Sequence, residues 1–289
     1  YNFTFRNSWD IVKDVLSMDM GLFYIKQNNQ NSNGQGMYYN PLVPVYLFPP
    51  SDDMNKYVVY ERYDADRNFK TQYWPYKNQG LGMQNPYWII NKNKFTNNLD
   101  RMIGNITLTY KPIEGLTITN NAGTDFYTEG RRKVYAKGTV GALNGKFQTW
   151  NLYKRIINND LMVSYEKTFA NDYHFKVMMG HNLYQEEWKN ENVQAQNLVV
   201  DGLYTYTNAK STTPVNYYEK KRLVGLYGDI SLGYKDMLFV NVTGRNDWSS
   251  TLPSETRSYF YPAVSGSIIM SQLLKMPEWL NFWKLRGAW

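Results

Sequence analysis

The chain has 289 residues, of which 17% are aromatic, yet its mean hydropathy is -0.59, so apolar and polar residues are finely interleaved. No stretch approaches the roughly 18 consecutive apolar residues of a membrane helix, and the absence of cysteine fits an oxidising compartment. The net charge of +7 is scattered in blocks no larger than 131–133 and 220–222, without a nucleic-acid-binding motif, so we expect no nucleic-acid partner.

Alternation of apolar and polar residues with a period of two predicts β-strands, because successive strand side chains point to opposite faces of a sheet. Over 101–111 only Ile103 interrupts it, and the apolar side consists of Met102, Gly104, Ile106, Leu108 and Tyr110. The same division recurs over 160–166, 223–235 and 238–247. We also predict strands at 9–17, 20–27, 116–127, 173–185, 263–272 and 281–289. Roughly ten strands with almost no credible helix between them indicate a β-sandwich or a β-barrel.

The lengths of the connections favour the barrel. Short joins rich in turn-forming residues lie at 111–115, 168–172 and 235–236. Long polar connections run over 28–84, 128–146, 187–219 and 246–261. The two kinds alternate along 99–272, as in an outer-membrane barrel, whose periplasmic turns are short and whose extracellular loops are long. We therefore predict an all-β fold, an antiparallel transmembrane β-barrel to which this chain contributes roughly ten strands.

Three tyrosines support the assignment of the short joins to one side of the membrane. Tyr110, Tyr165 and Tyr234 all lie on the apolar side of their strands and close to a short join. Amphipathic rings in this position form the aromatic girdle where a barrel meets the membrane surface.

Residues suited to catalysis are scarce. His174 and His181 are separated by an odd number of positions, so on a strand they point to opposite faces and do not form a zinc site. The carboxylate pairs Asp52–Asp53 and Glu186–Glu187 fall in predicted loops, and we interpret them as solvated. The chain also lacks a P-loop, a nucleophile elbow and a dinucleotide fingerprint. We expect no enzyme activity, no metal and no cofactor.

Aromatic residues cluster in and beside the first long connection, where many Asn and Gln residues accompany them. The cluster consists of Tyr73, Trp74, Tyr76, Tyr87 and Trp88. Flat rings and amide groups bind sugars or peptides, which makes these residues candidates for contact with a substrate or a capping partner. The same rings also serve as the internal core of a long ordered loop, and both interpretations stay open.

Several sequence blocks resemble one family. Residues 85–91 (NPYWIIN) and 101–105 (RMIGN) are followed by 242–253 (VTGRNDWSSTLP), 258–263 (SYFYPA) and 284–287 (KLRG). Together with 39–42 (YNPL) and 46–49 (YLFP), they resemble the barrel region of the SusC/RagA family of TonB-linked outer-membrane proteins. The resemblance extends over nearly all of the chain.

The resemblance implies a plugged barrel of about 22 strands in the outer membrane of a Gram-negative cell. Residues 1–289 would all belong to that barrel domain, and we expect the plug, the TonB-contacting segment and the final strands to lie outside this chain. The implied function is TonB-driven import of oligosaccharides or oligopeptides, in which no substrate bond is broken. The implied partners are TonB, membrane lipid and a SusD-like surface lipoprotein that docks on the loops after Asn28, Thr128, Glu187 and Asn246.

The block that starts at Arg245 is interpreted as a strand end leaving the membrane. Arg245 and Asp247 share the inward face and lie two residues apart, so they are able to form an ion pair. We expect a structural role for the rim formed by Arg245, Asp247, Ser249 and Ser250.

Three alternative functions share some of these sequence features. A carbohydrate-binding β-sandwich would also use aromatic and Asn residues. A passive porin-like or autotransporter barrel would share the strand pattern but lack TonB and the lipoprotein. An enzyme built into a barrel is the remaining possibility.

Overall fold

The computed structural model describes residues 1–30, 39–76 and 84–289. Within these ranges the chain forms strands β1 Asn2–Val12, β2 Leu16–Gln30, β3 Glu61–Asp64, β4 Phe69–Gln72, β5 Lys94–Ile113, β6 Leu116–Tyr135, β7 Lys146–Phe169, β8 Tyr173–Leu198, β9 Ala209–Tyr234, β10 Leu238–Ser249, β11 Ser258–Ile269 and β12 Lys284–Ala288. The helices are short: α1 Leu42–Tyr46, α2 Pro86–Lys92, α3 Met270–Leu273, and 3-10 turns at Met54–Tyr57 and Tyr206–Asn208. No helix in the described ranges is long and apolar enough to cross a membrane.

Ten of the strands form one sheet in the order β1-β2-β5-β6-β7-β8-β9-β10-β11-β12, and β3 pairs with β4 in a separate hairpin. Every pair in the large sheet is antiparallel. The predicted number of strands is confirmed. The sandwich alternative is wrong as a fold, because no second large sheet packs on the first among the described residues.

One predicted strand, 9–17, is wrong because it spans a turn. β1 ends at Val12 and β2 begins at Leu16, and between them Asp14 adopts a positive φ of 58°. The apolar–polar alternation continues through this tight turn, so the pattern alone did not show it.

Three of the predicted long connections are much shorter in the structure. β6 continues to Tyr135, β8 to Leu198 and β10 to Ser249, so the connections shrink to 136–145, 199–208 and 250–257. Beyond the apolar part of the sheet polar residues are frequent on both faces, and the regular alternation that marks a strand disappears. Parts of the first predicted connection, 31–38 and 77–83, lie outside the described residues. The predicted strand at 263–272 ends at Ile269 and is followed by α3.

The short and long connections nevertheless leave the sheet at opposite ends of its strands, as predicted. We call these two sides of the sheet the short-turn edge and the long-loop edge. The short-turn edge carries the β1–β2, β5–β6, β7–β8 and β9–β10 turns, together with the longer segment 270–283. The long-loop edge carries the described parts 39–76 and 84–93 of the first connection, together with 136–145, 199–208 and 250–257.

The two faces of the sheet differ in chemistry. Val224, Leu226, Ile230 and Val240 share one face, which we call the outer face, and they are 36%, 48%, 44% and 46% exposed. Register continues this apolar band across neighbouring strands, through Leu161 and Val163 on β7 and Ile106 and Leu108 on β5. The buried hydrophobic residues lie elsewhere, at the long-loop edge, and include Trp74, Trp88, Val134, Phe147 and Leu198. A water-soluble sheet would have covered such a band.

The tyrosines expected near the short turns lie on the outer face. Tyr110 is 43% exposed, and Tyr165 is half-buried. Tyr234 packs against Tyr173 of the neighbouring strand with ring centroids 4.9 Å apart. The rings therefore line the short-turn end of the apolar band.

Candidate functional site

The inner face, opposite the apolar band, carries a connected set of polar side chains. Asn182 donates to Asn158 at 3.0 Å and to Asp160 at 2.7 Å, and Asn241 donates to Asp229 at 2.7 Å and to Ser231 at 2.8 Å. Nearer the long-loop edge, Arg101 binds Asp125 through two hydrogen bonds of 2.9 and 2.5 Å. Such a surface is suited to contact with water and polar solutes.

Arg245 and Asp247 form the ion pair that the sequence predicts. The Nε atom of Arg245 lies 3.0 and 2.9 Å from the two carboxylate oxygens of Asp247, and Nη2 lies 2.8 Å from Oδ1. The Arg245 guanidinium also lies 5.4 Å from the centroid of the Tyr227 ring. Arg245, Asp247 and Tyr227 thus form one cluster on the inner face.

Two glycines make room for this cluster. A Cβ atom at Gly225 would lie 2.7 Å from both Arg245 Nη2 and Asp247 Oδ1. A Cβ atom at Gly180 would overlap the ring of Tyr227, which stands directly across the β8–β9 pair. Sequence reasoning missed Tyr227, Gly180 and Asp160. The sequence indicated these residues in part, because each lies on the polar face of its predicted strand.

The rim serines act within the sheet. Ser250 Oγ accepts a hydrogen bond from the backbone N–H of Arg222 at 2.8 Å, and the Ser250 N–H donates to the Arg222 carbonyl at 2.9 Å. Ser249 Oγ lies 2.8 Å from Thr251 Oγ1. The two Ser250 contacts tie the end of β10 to β9, and the structural role expected of the rim stays a prediction.

The first long loop, over its described residues 39–76 and 84–93, has its own aromatic core. Phe48, Tyr57, Trp74 and Tyr76 contact one another with ring centroids 5.3–6.0 Å apart. Trp74 is 3% exposed and Trp88 is 1% exposed. Of the five candidate contact residues, these two lie inside the loop, whereas Tyr73, Tyr76 and Tyr87 are half-buried.

Asp52 is the polar centre of that core, so its interpretation as a solvated carboxylate is wrong. It accepts hydrogen bonds from Lys56 at 2.8 Å, from the Tyr57 and Tyr76 hydroxyls at 2.5 Å each, and from the Asp53 N–H at 2.8 Å. The Lys56 ammonium, followed by the two hydroxyls, holds the pKa of Asp52 well below its usual range. Asp53 accepts from the Asn55 N–H and caps the 3-10 turn Met54–Tyr57.

The loop core is fixed to the 136–145 connection. Trp88 Nε1 donates to Thr139 Oγ1 at 3.0 Å, and Thr139 donates to Asn93 at 3.0 Å. Gln84 accepts from the Val140 N–H at 2.9 Å. Because Thr139 and Gln84 are fully buried, these bonds hold the loop in one position over the sheet edge.

A cavity of about 630 Å³ lies between the first loop, β5–β6 and the 199–208 connection. Its lining includes Lys70, Lys92, Arg132 and Asp201. Lys70 and Lys92 already pair with Glu61, at 3.4 and 2.5 Å, and Arg132 donates to the Tyr204 carbonyl at 2.6 Å. The cavity therefore offers few uncommitted charges to a ligand.

The remaining titratable candidates are dispersed. His174 lies on the inner face beside Thr168 and Asp236, both at 3.1 Å, and His181 lies on the outer face, as the odd spacing predicts. The interpretation of Glu186 and Glu187 as solvated loop residues is wrong: both belong to β8, paired with Lys154 at 2.6 Å and with Arg155 at 2.9 Å. Within the described ranges no group of three His, Asp or Glu residues is placed to hold a metal ion.

Comparison with solved structures identifies the architecture. The RagAB peptide transporter matches 99% of this chain with a TM-score of 0.74 and 15% identity, and the match covers 32% of that chain. The RagAB peptide importer in its closed-closed state gives a TM-score of 0.76 at 16% identity, with the same coverage. The ferripyoverdine receptor of the outer membrane of Pseudomonas aeruginosa gives 0.50 at 13% identity, covering 92% of this chain and 33% of that one.

The chain thus spans about a third of the length of the transporters and receptors that it matches. No protein-family model and no curated protein matches it. At this level of identity the similarity establishes the fold alone, a segment of the antiparallel β-barrel that these transporters and receptors share. The predicted fold class is confirmed.

Proposed function

We propose, because this chain has the barrel fold of SusC/RagA-type TonB-dependent transporters, that it forms part of the wall of an outer-membrane importer. The observation that carries the proposal is the apolar band on the outer face of the ten-stranded sheet, interrupted at the hydrogen-bonded pair Asn120–Asn159, opposite a hydrogen-bonded polar inner face. A wall of this kind separates hydrocarbon from a wet interior. Its outer face would contact outer-membrane lipid.

The inner wall would act on a passing solute by contact alone. Its ion pairs and amide clusters, such as Arg245–Asp247 and Asn182–Asp160, are satisfied within the wall. These paired groups offer a passing solute no unpaired charge that would trap it. No residue of the wall needs to break a bond, and oligosaccharides or oligopeptides are the substrate classes that we propose.

Energy coupling and the capture of substrate would depend on partner proteins. We propose that TonB acts through a segment outside this chain, and that a SusD-like lipoprotein docks on the long-loop edge. Support for the docking site comes from the first loop, whose buried Trp88–Thr139 contact makes a rigid platform. The RagAB structures are described as those of a peptide importer, and an open-open state and a closed-closed state of it are known.

Uptake measurements in cells test the proposal. The full-length protein should fractionate with the outer membrane, and uptake of a labelled oligosaccharide or oligopeptide should require both this protein and TonB. Uptake that continues at the same rate after deletion of TonB would instead identify a passive porin-like barrel. Recovery of the full-length protein as a detergent-independent soluble monomer would exclude the membrane role altogether.

The candidate contact residues need a separate test. If substrate or the lipoprotein touches the first loop, replacing the half-buried Tyr73 or Tyr87 with Ala should weaken binding while the loop stays folded. Replacement of the buried Trp74 should instead disturb the loop itself. Equal binding by the Tyr73 and Tyr87 variants and the natural protein would remove these residues from the site.

A further inference from the structure

Charged residues replace the apolar ones on the outer face immediately beyond the band. Arg155, Glu187 and Lys220 lie side by side in one row across β7, β8 and β9. Arg222 lies one outer-face position nearer the band, and Lys189 one position farther from it. The side chains of Arg155 and Lys189 are 38% and 51% exposed.

The cluster has more positive than negative charge. Glu187 is buried among the cations and accepts from Arg155 at 2.9 Å and from Lys189 at 3.1 Å. Arg222 donates to the neutral side chain of Gln185 at 2.9 Å, and Lys220 makes no ion pair within the described part of the chain. Four cations thus surround one carboxylate. The next carboxylate on this face, Glu191, lies farther toward the long loops.

Aromatic rings flank the cluster at the same level. The Lys189 ammonium lies 5.7 Å from the centroid of the Tyr153 ring and 5.6 Å from that of the Tyr218 ring. Register places both tyrosines beside Lys189 on the outer face. Rings alternating with cations are typical of side chains that lie at the interface between hydrocarbon and headgroups.

The height of the cluster matches that interface. On β9 the outer-face apolar residues run from Tyr234 to Val224, which at about 3.3 Å per residue and a tilt of about 40° corresponds to roughly 25 Å across the membrane. This is the thickness of the apolar band of outer-membrane barrels. Arg222, Lys220 and Lys189 therefore lie at headgroup level, on the side of the long loops.

We infer that Arg155, Lys189, Lys220 and Arg222 bind the phosphorylated headgroup of a glycolipid in the outer leaflet of the membrane. The acyl chains would cover the apolar band around Leu183 and Val224, and the phosphate would accept hydrogen bonds from Lys220, Arg222 and Lys189. The inference rests on the proposed function, because it requires the outer face to contact lipid. It adds a specific lipid partner that the transport role does not need.

Lipid titration of the full-length protein in neutral phosphatidylcholine nanodiscs tests the inference, with native mass spectrometry to count bound glycolipid. The test variant combines Lys189→Gln, Lys220→Gln and Arg222→Gln and leaves the Arg155–Glu187 pair intact. The control combines Lys94→Gln, Lys210→Gln and Arg257→Gln, which removes the same charge at the long-loop edge. We expect the test variant to lose about 10-fold or more in affinity for a lipid A-type phosphorylated glycolipid, and the control to retain it.

Three results would overturn the inference: equal affinity of the test variant and the natural protein, equal affinity for the dephosphorylated glycolipid, or displacement of the lipid by inorganic phosphate at millimolar concentration. The last result would identify a general anion site. Heat-modifiable migration of the same samples reports barrel insertion. A protein that inserts without lipid selectivity contradicts this inference alone, and one that does not insert contradicts the proposed function.

Discussion

The guanidinium of Arg245 is bound by the carboxylate of Asp247, two residues farther along the same strand, in a space that is open only because position 225 is a glycine. The three residues come from two neighbouring strands that pair in register, with Arg245 opposite Tyr227 and Asp247 opposite Gly225. The side chains of the inner wall therefore pack against one another at this point, and they are not independently solvated.

Replacing Arg245 with Ala should destabilise the barrel. The side chains of the pair are 42% and 30% exposed, so we expect a loss of only about 1 kcal/mol in the free energy of unfolding. Urea unfolding in lipid vesicles measures it. The double variant with Asp247→Ala should lose less than the sum of the two single variants. Unchanged stability together with lost substrate binding would show that Arg245 contacts the substrate instead.

Gly180→Ala should be more damaging, because the added methyl group would displace the whole Tyr227 ring. We expect a loss of about 1–3 kcal/mol, as for overpacked sites. Gly228→Ala is the matched control: this glycine lies on the outer face, and its added Cβ would meet its nearest neighbour at 3.5 Å, an ordinary contact. Similar unfolding curves for the two variants would show that the ring does not need this position.

The sequence was informative wherever one face of a strand is apolar. The alternation at 223–235 and 238–247 located β9 and β10 and correctly placed Arg245 and Asp247 on one face. It failed beyond the band, where Glu187 and Lys189 continue β8 but resemble a polar loop. It also failed for Asp52, since Tyr76, one of its partners, lies far away in the sequence and the contact depends on the loop's tertiary fold.

Trp88→Ala should release the first loop from the sheet edge. Removing a fully buried indole costs about 3–5 kcal/mol, and the hydrogen bond to Thr139 is lost as well. Limited proteolysis should then cleave the loop while the strands stay protected. Tyr46→Ala removes a ring that is 84% exposed in the same loop and should change nothing. Equal protection of the loop in both variants would refute a docked, rigid loop.

Acid should loosen the loop core around Asp52. Because the folded loop lowers the pKa of Asp52, the carboxylate contributes stability that is fully present above its ordinary pKa of about 4 and is lost as the pH falls below that value. The protection factors of the amides at 52–57, from which the intrinsic pH dependence of hydrogen exchange has been divided out, should therefore decrease with falling pH. Asp52→Asn should remove this pH dependence. An identical acid response in the Asn variant would assign the effect to another group.

The most direct test of a membrane-spanning wall is a cysteine scan of β9 and β10, in a segment that has no cysteine of its own. Single cysteines would replace Leu226, Ile230 or Val240 on the outer face, and Ser231, Asn241 or Thr243 on the inner face, in the full-length protein in lipid vesicles. A fluorophore at the outer positions should be quenched by lipid-attached nitroxide, while the inner positions should react with a water-soluble thiol reagent. Loss of this alternation, or aqueous reactivity at all six positions, would contradict a membrane-spanning wall.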